Sequence, residues 1–236
     1  MAVAVVAGAV VLVVGLALLD RICATLAERR ASEYLSVPFG HPAAVRVLGT
    51  PVLTQAIRGR YREVEVTGGG LRVGEINGAT LVATLRNVHL PTRELLGGRT
   101  TELPCEQVSG RMLIAYSELA RVARIPGLTL FFRGGRLLAS AALPVPGFSQ
   151  LARINGEAVL TQAGSGSVSL RINGVSVVGI TLPSVVLSQL LPTLNVPIPL
   201  PALPYGLRID ELRPAESGLL VCGSAEAVVF RKPVYA

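Results

Sequence analysis

His41 and His89 are the chain's two histidines, and they stand too far apart in the sequence to suggest a ligand or acid–base pair. His89 falls in a strand-like run, Arg86 to Leu90 (RNVHL), where a satisfied or solvent-facing imidazole is the simpler reading. Cys23, Cys105 and Cys222 lack metal-ligand spacing. Glu63 and Glu65 are two residues apart, hence on one strand face, and read as partners of neighbouring arginines rather than as a catalytic pair. Gly164-Ser165-Gly166-Ser167 has the residue types of a nucleophile loop, but it lies between two alternating runs and reads better as a hairpin turn. There is no G-x-S-x-G elbow, no phosphate-cradling Gly-Lys-Ser/Thr loop and no H-E-x-x-H pair. These absences speak against an enzyme, and neither cofactor nor metal is expected.

The elements that would place this chain in a cell are easier to read. Met1 to Leu19 (MAVAVVAGAVVLVVGLALL) carry no charge, and the first ionisable side chain is Asp20. At a helical rise of about 1.5 Å per residue the run covers roughly 28 Å, close to the hydrocarbon thickness of a bilayer. Nothing basic precedes it, and Leu18 to Ala24 (LLDRICA) offers neither an A-x-A cleavage site nor a lipoprotein-type small residue before Cys23. The expectation is a retained anchor: residues 1–23 as a transmembrane or signal-anchor helix, 24–36 as a helical linker, and 37–236 as the folded body. Arg21, Arg29 and Arg30 follow the run, which by the positive-inside rule would hold the body in the cytoplasm; basic residues further upstream would reverse this.

The chain carries a formal net charge of +7, with 22 basic and 15 acidic residues. A basic body beside a membrane favours anionic headgroups, at about 1 kcal/mol per basic residue near the surface. Nucleic acid is the poorer partner, because Lys occurs once, at Lys232, Trp is absent, and no basic cluster is interleaved with aromatics. Arginine richness alongside Ala, Val and Gly is equally the mark of a G+C-rich genome.

Half of the residues are apolar and only 4% aromatic, so the core must be aliphatic. Period-2 alternation dominates. In Ser167 to Asn173 (SVSLRIN), Val168, Leu170 and Ile172 share a face that Ser169 and Arg171 avoid. The same alternation runs through Tyr61 to Val66, Leu128 to Phe132 and Tyr205 to Asp210. Gly68-Gly69-Gly70, Asn77-Gly78, Gly134-Gly135, Asn155-Gly156, Gly164-Ser165-Gly166 and Asn173-Gly174 read as the turns between strands. Pro51 to Arg58, Tyr116 to Arg124 and Pro183 to Leu191 read as short helices, with Pro51 and Pro183 at first helical positions. The two halves share an order of helix, strands and helix without a linker, which suggests one domain with a pseudo-repeat. Pro197, Pro199 and Pro201 alternate with Val196, Ile198 and Leu200, the pattern of a donor-poor sheet edge or of a polyproline connector. The fold class expected is α+β: a long, curved, mostly antiparallel sheet with short helices.

Thr50 to Val66 (TPVLTQAIRGRYREVEV), Pro126-Gly127-Leu128, Gly135-Arg136-Leu137 and Leu203 to Ile209 (LPYGLRI) occur in an order that resembles the actinobacterial lipomannan-elongation-factor-like (LmeA-like) phospholipid-binding proteins. The most specific piece is LTQ-x-x-x-GRY, here Leu53 to Tyr61. The resemblance implies an envelope protein outside the plasma membrane whose sheet and helices enclose an apolar space for acyl chains, linked to mannan elongation on lipid-anchored glycans. In that outer space Cys105 and Cys222 are free to pair if their Cα atoms lie within about 7 Å.

Burial of acyl CH₂ groups supplies about 0.8 kcal/mol each, and arginines at a cavity mouth can hold a phosphate in bidentate geometry. Arg58, Arg60 and Arg62, at the helix-to-strand junction of the most specific segment, are the headgroup candidates; they are equally readable as solvated charges paired with Glu63 and Glu65. Leu130, Phe132, Val186 and Leu190 are the candidates for the acyl-chain wall. The expected function is non-catalytic: carrying, presenting or sensing anionic phospholipid at the membrane. The alternative is an anchored scaffold that docks an envelope glycosyltransferase without taking lipid inside.

Overall fold

The computed structural model describes residues 20–22, 24–25, 28–29, 32, 43–49, 51–90, 102–144, 151–162, 167–177, 195–199 and 207–231. The fold is sheet-rich α+β, in the order β1 (Ala43–Leu48), α1 (Val52–Arg58), β2 (Arg60–Val73), β3 (Ile76–His89), β4 (Glu102–Ile114), α2 (Tyr116–Ala123), β5 (Thr129–Arg133), β6 (Arg136–Pro144), β7 (Leu151–Gln162), β8 (Ser167–Val177), β9 (Asn195–Pro199), β10 (Arg208–Ala215) and β11 (Gly218–Arg231). One sheet has the order β1-β2-β3-β4-β11-β10 and the other β5-β6-β7-β8-β9. The chain divides into two compact units: Met1–Gly69, Val82–Gly110 and Ala225–Ala236 form the first, Gly70–Leu81 and Arg111–Ser224 the second.

In the second unit the five-stranded sheet follows the alternation read from the sequence. Leu130 pairs with Ala139, Ala141 with Ile154, Ala158 with Ile172, and Val168 with Ile198, so these residues share one face and all are buried. Phe131, Arg153, Val159 and Arg171 fall on the opposite parity and are solvent-facing. Gly134 and Gly135, at φ +59° and +77°, make the two-residue turn between β5 and β6, where only a pair of left-handed residues matches the strand twist. β9 is an edge strand, and its Pro197 and Pro199 alternate with the buried Ile198, as the proline spacing predicts. Pro201 and Leu200 lie outside the described residues.

Helix α2 buries Tyr116, Leu119, Val122 and Ala123, one helical face, against β5 and β9. Tyr116 donates its hydroxyl to the Ala215 carbonyl at 2.7 Å. Glu118 accepts from Arg121 at 2.7 Å and from the Asn77 amide at 3.0 Å, and these bonds hold its carboxyl below the usual carboxylate range. Arg124, left-handed at the helix C-terminus, reaches Glu75 at 3.0 Å.

Four of the turns read from the sequence are not turns. Gly68-Gly69-Gly70 continues β2, because Gly68 faces Ala43 in the ladder with β1. Asn77-Gly78 lies inside β3; the reversal is made earlier, at Gly74-Glu75. Asn155-Gly156 and Asn173-Gly174 lie inside β7 and β8, where they meet as a bulge: Asn155 pairs with Ser176, but Glu157 pairs with Asn173. A tight Asn-Gly hairpin needs positive φ at both residues, and here only Gly174 adopts it, at +60°. Gly156 is required at the crossing, since a Cβ there would stand 2.6 Å from Ile172 Cγ2 and 2.8 Å from the Asn173 carbonyl oxygen.

In the first unit β1 pairs antiparallel with β2, and Ala43, Val45 and Val66 are buried. The described residues between Asp20 and Ser32 are helical, and Glu28 and Ser32 bond to the backbone of Val47 and Ala43 on β1, the edge strand. Such cover blunts an open sheet edge. Pro51 stands at the N-cap of α1, extended at ψ 134°, one residue earlier than the first helical position expected of it. No helix of the described residues is long and apolar enough to cross a membrane; the anchor read at residues 1–23 falls almost wholly outside them, as does the helix read at Pro183 to Leu191.

Candidate functional site

A cleft of about 430 Å³ opens in the first unit, and Arg58, Arg60 and Arg62 all line it. Its construction follows from the segment Leu53 to Tyr61. Gly59 ends α1 in the left-handed conformation, φ +63°, and its N–H bonds back to the Ala56 carbonyl. That reversal places Arg58 in the last turn of the helix and Arg60 at the first position of β2. Gly59 also accepts from the Leu90 amide at 2.8 Å, which ties the corner to the end of β3.

Gln55 is the one buried polar side chain among the described residues, at 7% exposure, and it is fully used. Its Nε2 donates to the Gly49 carbonyl at 2.7 Å and its Oε1 accepts from the Arg62 amide at 3.0 Å. A single amide thus joins the end of β1, the helix and the start of β2. In LTQ-x-x-x-GRY, then, Gln fastens the corner, Gly turns it, Arg lines the cleft and Tyr61 is buried.

Arg60 and Arg62 share a parity on β2, and Glu63 and Glu65 take the other. Among the described residues no ion pair joins the three arginines to those two carboxylates. Pairing with Glu63 and Glu65, one of the two readings open in the sequence, is therefore not what occupies the guanidinium groups. The carboxylate that lines the cleft is Glu106, which accepts from Asn87 Nδ2 at 2.7 Å. Three arginines against one carboxylate leave the cleft electropositive, suited to a phosphate or carboxylate group.

Asn87, His89 and Glu106 also border a second cleft, of about 590 Å³, with Cys105, Ala227 and Val228. Strand periodicity breaks along this wall: Leu85 and Val88 are both buried, as are Cys105 and Val108, three residues apart instead of two. Asn87 and Ala227 are left-handed, each at φ +52°. The Cys105 thiol has two carbonyls within reach of its one S–H, Arg86 at 3.2 Å and Gln107 at 3.1 Å. Burial nonetheless pushes the thiol above its ordinary range. His89 Nδ1 lies 3.1 Å from the Asn87 carbonyl; the proton sits on Nδ1 when that bond forms, leaving Nε2 for the cleft.

The structure thus brings Arg58, Arg60 and Arg62 to one cleft. Leu130 is buried and Phe132 half-buried on the apolar face of the five-stranded sheet, in the second unit. Val186 and Leu190 lie outside the described residues. Cys105 and Cys222 are both free thiols. No group of three or more His, Cys, Asp or Glu among the described residues could hold a metal ion. Gln55, Asn87 and Glu106 were not legible as site residues; the signal for Gln55 was its place inside the most specific segment.

A family model described as LmeA-like phospholipid-binding matches residues 18–224, most of the chain. No curated protein and no solved structure matches it.

Proposed function

The chain belongs to the LmeA-like phospholipid-binding family, and from that premise we propose that it binds anionic phospholipid without catalysis, its lipid phosphate held by Arg58, Arg60 and Arg62. The convergence of these three arginines on one cleft, unengaged by Glu63 or Glu65, carries this reading. Guanidinium groups suit it because each can present two parallel donors to a phosphate. For the acyl chains the candidates remain those of the sequence, Leu130, Phe132, Val186 and Leu190; of these Phe132 is half-buried and Leu130 buried, both within the second unit. On this reading the protein works in the envelope, on the outer side of the plasma membrane as the family resemblance implies, carrying, presenting or sensing lipid in support of mannan elongation by an envelope glycosyltransferase.

Two measurements bear on the two halves of the proposal. At about 1 kcal/mol per arginine near an anionic surface, replacing all three with alanine should weaken binding to anionic vesicles by roughly two orders of magnitude. Unchanged affinity in the folded triple variant would remove the arginines from the site. Phe132→Trp introduces the chain's single indole, and phospholipid brominated along its acyl chains should quench it on binding; bound lipid without quenching would place the chains elsewhere.

A further inference from the structure

We propose that α1 and the helical residues next to it in the first unit form a bilayer-docking face, with Ile57 entering the boundary between headgroups and acyl chains and Arg21 and Arg58 meeting anionic headgroups beside it. This rests on the reading of the arginine cleft as a headgroup site and adds which face of the protein lies against the membrane.

The first observation is a fastening. The apolar run of the sequence ends at Leu19, and the next residue, Asp20, accepts a hydrogen bond from the Leu53 amide at 2.6 Å, in the first turn of α1. Further along the same segment Glu28 accepts from the Val47 amide at 3.1 Å. The chain that follows nineteen uncharged residues is therefore pinned beside α1 within one residue of the last of them. If that run enters a bilayer, α1 cannot be far from its surface.

The second observation is exposure. Ile57 is 76% exposed, more than any other large apolar side chain among the described residues, although Val52 and Gln55 of the same helix are buried. It precedes in sequence Arg58, which lines the arginine cleft, and α1 has no acidic residue in its first turn. On the pinned segment the arrangement recurs: Ile22 is exposed, and so is Arg21. An apolar tip flanked by arginines is the composition that lies in the interface of anionic membranes, where apolar burial and electrostatic attraction add. A protein partner would equally cover Ile57, but it would not account for an apolar run of sequence followed at once by Asp20, which is bonded to the same helix.

The test uses the full chain, which has no Trp, carrying Ile57→Trp and reconstituted into vesicles of phosphatidylglycerol and phosphatidylcholine brominated near the headgroup end of the acyl chain. The indole emission should shift to the blue and be quenched. In Phe131→Trp, exposed on the polar face of the five-stranded sheet, it should remain red and unquenched. Asp20→Ala should reduce the quenching at position 57 by releasing the segment from α1. A blue-shifted but unquenched Ile57→Trp would mean that protein, not lipid, covers the helix, and would overturn the docking face; so would equal quenching at positions 57 and 131, which the tether alone would produce. If Ile57→Trp is unquenched while phospholipid still co-purifies with the protein, the headgroup reading survives and only the docking face falls. Loss of both would overturn the two together.

Discussion

The five-stranded sheet and the strands around the arginine cleft are made of the same alternating sequence and differ in how well they keep period 2. In the sheet, Leu130, Ala139, Ala141, Ile154, Ala158, Ile172, Leu170, Val168 and Ile198 hold one face across all five strands, with a single slip at Gly156. Around the cleft, β3 and β4 each bury residues three apart, and Asn87 and Ala227 take left-handed conformations that only glycine adopts without cost. The regular region presents an uninterrupted aliphatic face. The irregular one lines clefts with polar residues, Asn87 and Glu106 among them, and residues held in sparsely populated backbone conformations cluster at functional sites. Stability and headgroup recognition are thereby assigned to different places, and that division can be broken experimentally.

The largest effect should come from the regular sheet. Leu170 is 0% exposed, and Leu170→Ala should destabilise the protein by about 3 kcal/mol through lost transfer energy and a cavity. Denaturant unfolding measures this, and the loss of anionic-vesicle affinity on replacing Arg58, Arg60 and Arg62 with alanine should be the same in this background as in the parent; a smaller loss would show that the two regions are not separable. Gln55→Leu comes next. It keeps the side-chain volume but strands the carbonyl of Gly49 and the amide of Arg62, at roughly 2 kcal/mol. Unlike Leu170→Ala it should also weaken anionic-vesicle binding, because it loosens the corner that aims the arginines. A Gln55→Leu protein with full affinity would mean that the cleft needs no fixed corner. The smallest stability effect belongs to the arginines, whose exposed side chains should each cost within about 0.5 kcal/mol when replaced. Their loss should be felt in binding and hardly at all in unfolding.

Much of the architecture was legible because burial imposes its period on the sequence. Val168, Leu170 and Ile172 announced β8, the segment Tyr116 to Arg124, read as a short helix, is α2, and the alternate prolines, one of whose two readings was a sheet edge, fall in the edge strand β9. Glycine was the weak signal. Gly134-Gly135 is a turn, whereas Gly68 to Gly70 and the Asn-Gly pairs at 77, 155 and 173 run through strands. A glycine that permits positive φ and one that merely leaves room for a neighbour, as Gly156 does for Ile172, look alike until the opposing strand is known. The site was half legible. Three arginines at one junction could be picked out by type and spacing, but Glu106 and Asn87 reach the cleft through the pairing of β2, β3 and β4, and Gln55 acts through backbone groups that no residue pattern displays.

The central claim is that phospholipid occupies the arginine cleft, and native mass spectrometry of the purified full chain beside its Arg58→Glu, Arg60→Glu, Arg62→Glu triple variant tests it most directly. The account predicts phospholipid adducts on the parent protein and their loss from a variant that unfolds at the same denaturant concentration. Adducts of equal abundance on both proteins, or none on the parent, would contradict it.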